Sequence, residues 1–78
     1  MKTWIDDWLT QDSNSGKMIF STAEQIAYLS ERITLLPGDV VMTGTPAGTG
    51  AEQGRFLKKG EVVRMWIENI GEVRNKIV

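Results

Sequence analysis

The sequence is 78 residues long, 41% hydrophobic and 24% charged, with a net charge of −1, an ordinary globular balance for one small domain at most. It contains no Cys and no His, which excludes disulfides, thiolate metal sites, Ser-His-Asp and Cys-His catalysis and most zinc centres. The balanced charge exerts no pull toward nucleic acid or an anionic membrane, and no apolar run approaches the roughly 20 residues of a membrane span.

The opening MKTWIDDW has no apolar stretch of the kind a signal peptide needs, and a reducing, cytoplasmic compartment is the expected setting. Chains this short usually need a staple or a partner, and without disulfide or zinc a partner chain, or further chain of the same domain, is expected. Residues 4–11 (WIDDWLTQ) read as a strand. Trp4, Asp6 and Trp8 lie on one face and Ile5, Asp7 and Leu9 on the other, so neither face is cleanly apolar. Residues 12–17 (DSNSGK) are loop in composition.

A helix follows over 22–35. Ser21 and Glu24 stand at the spacing of a capping box, in which the hydroxyl and the carboxylate each satisfy a free backbone N–H at the helix start. Ala23, Ile26, Ala27, Leu29 and Ile33 recur near helical spacing to make one apolar face, and Pro37-Gly38 ends the element. Residues 39–43 (DVVMT) read as a buried strand, and residues 44–54 as a loop carrying four of the eight glycines. Lys58-Lys59-Gly60 is a turn. Residues 61–68 and 72–78 alternate as two antiparallel strands joined at 69–71, with Val63, Met65 and Ile67 on one face and Val73 and Ile77 likewise. The order is β-α-β-loop-β-β. This makes an α+β fold, a β-rich mixed or antiparallel sheet with one main helix.

The glycine-rich loop is the segment that asks for a functional reading. A Walker A loop requires a second glycine five residues after the first, then Lys-Ser/Thr, but Thr49 stands five residues after Gly44. A dinucleotide fingerprint fits Gly48 and Gly50 and fails at Gln53; a nucleophile elbow fails at Pro46. What remains is a backbone that a ligand can approach closely at Gly44, Gly48 and Gly50, with hydroxyls at Thr43, Thr45 and Thr49. Such a set suits a carboxylate or enolate oxygen. The plainer alternative is a tight inter-strand loop whose glycines supply positive φ. Asp6 and Asp7 point apart if they lie in a strand. Glu68 and Glu72 flank a hairpin as solvated edge charges or cross-strand neighbours, and no three oxygens converge at metal spacing. Trp4 and Trp8 are packing or interface residues, or else an aromatic shelf.

Several ordered motifs resemble the fumarylacetoacetate hydrolase family. These are Met18-Ile19-Phe20-Ser21, Ile26-Ala27-Tyr28-Leu29-Ser30, Thr34-Leu35, Pro37-Gly38-Asp39 and, most specific, Thr43-Gly44-Thr45-Pro46-Ala47-Gly48. Phe56-Leu57-Lys58, Gly60, Ile67-Glu68, Gly71 and Arg74-Asn75 extend the likeness over essentially the whole chain. The resemblance implies that residues 1–78 are a single partial domain, the C-terminal portion of a layered β catalytic domain completed by an N-terminal half. It implies an intact enzyme that is a homodimer acting on small keto acids such as acylpyruvates, by C–C hydrolysis, decarboxylation or tautomerisation. It also implies Mg²⁺ or Mn²⁺ held by an E-x-E pair and a later Asp, with a general-base dyad that includes a His. The sequence has neither E-x-E nor His, so no metal-binding or catalytic residue carries over and the isolated chain is expected to be inactive. One role does carry over, contact with the substrate's carboxylate end at Thr45, with Gly44 and Pro46 shaping the pocket. Two positions depart from the family pattern: Thr49, where a Val is usual between two glycines, and Lys59-Gly60-Glu61, where Pro-Gly-Asp is usual. A second reading is a non-catalytic, β-rich interaction or oligomerisation module. The two part on whether a segment with E-x-E and Asp accompanies the chain.

Overall fold

The computed structural model describes residues 1–78. It contains strands β1 (Lys2–Ile5) and β2 (Trp8–Asp12), a 3-10 turn at Ser15–Lys17, helix α1 (Thr22–Ser30), and strands β3 (Val62–Ile67) and β4 (Gly71–Lys76). The four strands form one sheet in the order β2-β1-β3-β4, with every pairing antiparallel. One helix beside an antiparallel sheet is the α+β class expected, with the mixed alternative removed.

The expected single strand over 4–11 is instead the hairpin β1–β2, folded at Asp6-Asp7. Asp6 adopts a φ of 52°, a conformation Asp tolerates better than most residues. It is fixed from across the sheet: the Asp6 N–H donates to Val62 O at 2.8 Å, and Val62 N–H donates to Asp6 Oδ1 at 2.9 Å. The hairpin register pairs Trp4 with Leu9 and Ile5 with Trp8, so the two tryptophans lie on opposite faces and form no common shelf. Each meets its own arginine, Arg64 at 4.1 Å from the Trp4 ring centre and Arg55 at 5.1 Å from that of Trp8, within cation–π range.

A register shift between Thr3 and Trp4 sets Thr3 opposite Gln11 and leaves Thr10 as the extra residue of a β-bulge. The sheet therefore has two distinct faces. One carries Thr3, Ile5, Trp8, Gln11, Val63, Met65 and Val73. The other carries Lys2, Trp4, Leu9, Asp12, Arg64, Trp66, Glu72 and Arg74. The second is polar and laced by the Lys2–Asp12 contact at 3.8 Å and Arg64–Glu72 at 3.4 Å. Glu72 thus pairs with an arginine on the neighbouring strand, not with Glu68. Both ion pairs are exposed and contribute little individually.

Helix α1 begins as its sequence dictates. Glu24 N–H donates to Ser21 Oγ at 3.2 Å and Ser21 N–H donates to Glu24 Oε2 at 2.7 Å, completing the capping box. It ends at Ser30, five residues before the expected end at 35. The β-branched pair Ile33-Thr34 disfavours continuation, and a short helix needs packing that this one lacks, since Ile26 and Ile33 stay exposed. Because the capping box is its main local support, Ser21→Ala is expected to destabilise the folded protein by about 1 kcal/mol. A lowered urea midpoint at unchanged m-value would register that loss.

The expected buried strand at 39–43 is not formed. Val40 is 86% and Met42 92% exposed, and no backbone hydrogen bond pairs the segment with a strand. A strand exists only against a neighbour, and the sheet here ends at β2 and β4. No hydrophobic residue is buried; Thr3 alone falls in the buried class. The radius of gyration is 15.3 Å, against about 11.5 Å for a compact chain of this length by the usual scaling. The β3–β4 hairpin matches its reading closely, with Met65 opposite Val73 and a Glu68–Ile70 connection.

Candidate functional site

The Thr43–Thr49 loop crosses the edge of the sheet beside β2 and is held there at two points. The amide of Gln11 donates from Nε2 to Thr45 Oγ1 at 3.0 Å and to Pro46 O at 3.0 Å. Gly48, with φ of 100°, lies directly over the Thr10 carbonyl, where any Cβ would collide. Sequence reading singled out Thr45, Gly44 and Pro46 but gave Gln11 no role. Its contact spans 34 residues, and the bulge that turns it toward the loop has no local signature.

Gly44, Thr45 and Pro46 line an open cleft of about 720 Å³, together with Asn14, Lys17 and Phe20. The three expected site residues, consecutive in sequence, share this cleft with residues of the 3-10 turn. Thr45 and Gly44 are exposed and Pro46 is half-buried. Two of the loop's backbone donors are engaged within the chain. Gly48 N–H and Thr49 N–H both donate to Glu52 Oε2, at 2.6 and 3.0 Å, so this backbone nest already holds an anion from its own chain. The Gly48 and Thr49 amides, in that order, hold the Glu52 carboxyl below its ordinary value of 4.5, against a small opposing effect of desolvation. The sign follows from linkage: a depressed folded pKa means the ionised nest is favoured above the ordinary glutamate value and lost as pH falls through the lowered one. Protection of the Gly48 and Thr49 amides from hydrogen exchange is expected to fade on that acid side, and Glu52→Gln should remove the pH dependence.

Further along, Arg55 pairs with Glu61 and stacks over Trp8, pinning the end of the loop to the apolar sheet face. For metal chemistry, no group of three or more His, Cys, Asp or Glu comes together in the structure. The residues present do not fit a divalent cation, which needs several converging oxygens.

The chain matches the family described as fumarylacetoacetate hydrolase C-terminal over residues 1–78. It belongs to the fumarylacetoacetate hydrolase family. Among similar proteins, a mitochondrial oxaloacetate tautomerase of Bos taurus is 46% identical over 76 residues, covering 95% of this chain and 24% of the relative. The fumarylacetoacetate hydrolase domain-containing protein 2 of Pongo abelii shows the same identity and coverage. A mitochondrial oxaloacetate tautomerase of Rattus norvegicus is 44% identical, again over 95% of this chain and 24% of its own length. This member of the family thus spans about a quarter of the length of the curated relatives it matches. No solved structure matches it. The expected cytoplasmic setting does not stand, because relatives at this identity are named as mitochondrial proteins. No helix of the structure is long and apolar enough to cross a membrane.

Proposed function

We propose that this chain is the C-terminal segment of a keto-acid enzyme of the fumarylacetoacetate hydrolase family. On this reading its Thr43–Gly48 loop orients the substrate's carboxylate end, and the reaction is enol–keto tautomerisation of a small 2-keto acid of the oxaloacetate class. The observation that carries this is that the exposed Thr45 lines an open cleft, flanked by Gly44 and Pro46, that Lys17 also lines. A hydroxyl donor and a lysine lining one cleft suit an anionic ligand. Tautomerisation is the reaction chosen because two of these relatives are named oxaloacetate tautomerases.

The chain's own part is binding and orientation: holding a substrate in a reactive geometry removes much of the entropic barrier. The N-terminal half of the domain covers the apolar sheet face and gives residues 39–43 a neighbour, completing the layered β fold. The intact enzyme is a homodimer, and Mg²⁺ or Mn²⁺, where used, is held by that other half. The test is oxaloacetate enol decay, followed by ultraviolet absorbance. The complete enzyme is expected to accelerate it and the 78-residue chain alone to leave it at the buffer rate. Acceleration by the isolated chain would overturn the division of labour, and no acceleration by the complete enzyme would overturn the substrate class.

A second reading, a non-catalytic β-rich interaction or oligomerisation module, is favoured by the exposure of Trp8, Met65, Ile67 and Val73, since large exposed apolar patches mark association surfaces. A complete enzyme inert toward every small keto acid, yet stably self-associated, would support it.

A further inference from the structure

We propose that Gln11 is a positioning residue that sets the hydrogen-bond polarity of Thr45, turning its hydroxyl into a donor toward an anionic substrate. The inference rests on the reading that Thr45 meets the substrate. The orientation of the Gln11 amide is determined by Pro46. A carbonyl oxygen can only accept, so the end of the amide 3.0 Å from Pro46 O must be the nitrogen. That same nitrogen lies 3.0 Å from Thr45 Oγ1, and its two protons are matched by these two acceptors. Thr45 Oγ1 is thereby an acceptor toward Gln11. A hydroxyl has one proton, and that of Thr45 finds no acceptor within the chain, which leaves it for the cleft.

The backbone explains how Gln11 comes to be there. Strict alternation along β2 would place Gln11 on the face opposite Trp8 and Thr10. The bulge at Thr10 puts it on the same face as Thr3 and Trp8 instead, the use to which bulges near sites are commonly put. Gly48 seats the loop on the Thr10 carbonyl at the same bulge. Bulge, clamp and loop therefore meet at one place, 34 residues apart in sequence.

Two near-isosteric variants of the complete enzyme, read for both activity and loop seating, separate a simple clamp from a polarity-setting residue. Gln11→Met removes both hydrogen bonds and leaves the Thr45 hydroxyl free to turn. Gln11→Glu offers a carboxylate with no proton, which draws the Thr45 proton to itself. Both variants lose the bond to Pro46 O, and Gln11→Glu turns a second acceptor toward that carbonyl. Loosening of the loop is therefore read separately, as faster amide exchange at Thr45 and Ala47, and a pure clamp makes the activity loss follow that loosening. Polarity setting makes Gln11→Glu harsher than its loosening accounts for, with kcat/KM lowered by roughly tenfold to a hundredfold, the range for a lost hydrogen bond to a charged group. Its activity should recover as pH falls and the introduced carboxyl regains a proton.

Repulsion between that carboxylate and the substrate would give the same pH trend, so the deciding measurement is a double-mutant cycle with Thr45→Ala. The expected result is that Gln11→Glu adds no further loss once Thr45→Ala is present. A costly Thr45→Ala with a fully additive Gln11→Glu overturns the role of Gln11 and leaves the substrate-orienting loop standing. A Thr45→Ala variant with unchanged kinetics overturns both. Activity losses in Gln11→Met and Gln11→Glu that simply follow the loosening of the loop overturn polarity setting in favour of a clamp.

Discussion

Replacing Gly48 with alanine is expected to lift the Thr43–Thr49 loop off the sheet and to destabilise the complete protein by more than the corresponding change at Gly44. Both glycines have φ near +100°, a conformation that costs a side-chain-bearing residue about 1–3 kcal/mol. The surroundings differ. A Cβ at Gly44 meets nothing within 4 Å, whereas at Gly48 it collides with the Thr10 carbonyl and crowds the Gln11 side chain. Backbone atoms in a paired strand cannot move aside as a flexible side chain can, so the loop itself must shift. Gly44→Ala therefore measures the conformational strain, and the excess in Gly48→Ala measures the seat on β2. Denaturant unfolding gives the two free energies, and amide exchange at Thr45 and Ala47 locates the damage. Equal losses at the two positions would mean that the loop does not rest on the bulge.

The contrast between the parts that could be read and those that could not lies in how far each residue reaches. The capping box is legible because Ser21 and Glu24 meet three residues apart, and the β3–β4 hairpin because its alternation and turn are contiguous. The β1–β2 hairpin is hidden. Asp6-Asp7 has no glycine to announce a turn, and its left-handed residue is held by Val62, 56 residues away. The helix end and the absent strand at 39–43 fail for a shared reason. Ile33, Val40 and Met42 have the apolar character of buried positions, but burial requires a surface to cover them, and within these 78 residues none does. Local pattern states what a segment would do in a completed core, and the structure shows what it does without one. The site divides in the same way. Thr45, Gly44 and Pro46 are contiguous and carry the family motif, while Gln11 owes its position to one bulged residue.

Thr45→Ala in the complete enzyme is expected to lower turnover by about a hundredfold, the loss that follows when one orienting group is misplaced. Little of that can come from unfolding. Thr45 is exposed, buries no apolar contact of consequence, and its removal leaves Gln11 still bound to the Pro46 carbonyl. An unchanged denaturation midpoint would establish this. Thr45→Ser retains a hydroxyl at the same point, able to accept from Gln11 and to donate into the cleft, so it should keep most of the activity. Thr45→Val keeps the shape and loses the hydroxyl, and should behave like alanine. The division between constants is informative: a fall in kcat with little change in KM assigns the hydroxyl to the reactive geometry, whereas a rise in KM alone assigns it to uniform binding. If both constants are unchanged in the alanine variant, the loop has no part in orienting substrate. The family motif at residues 43–48 would then be a device for folding alone, seated by Gly48 and closed by Glu52.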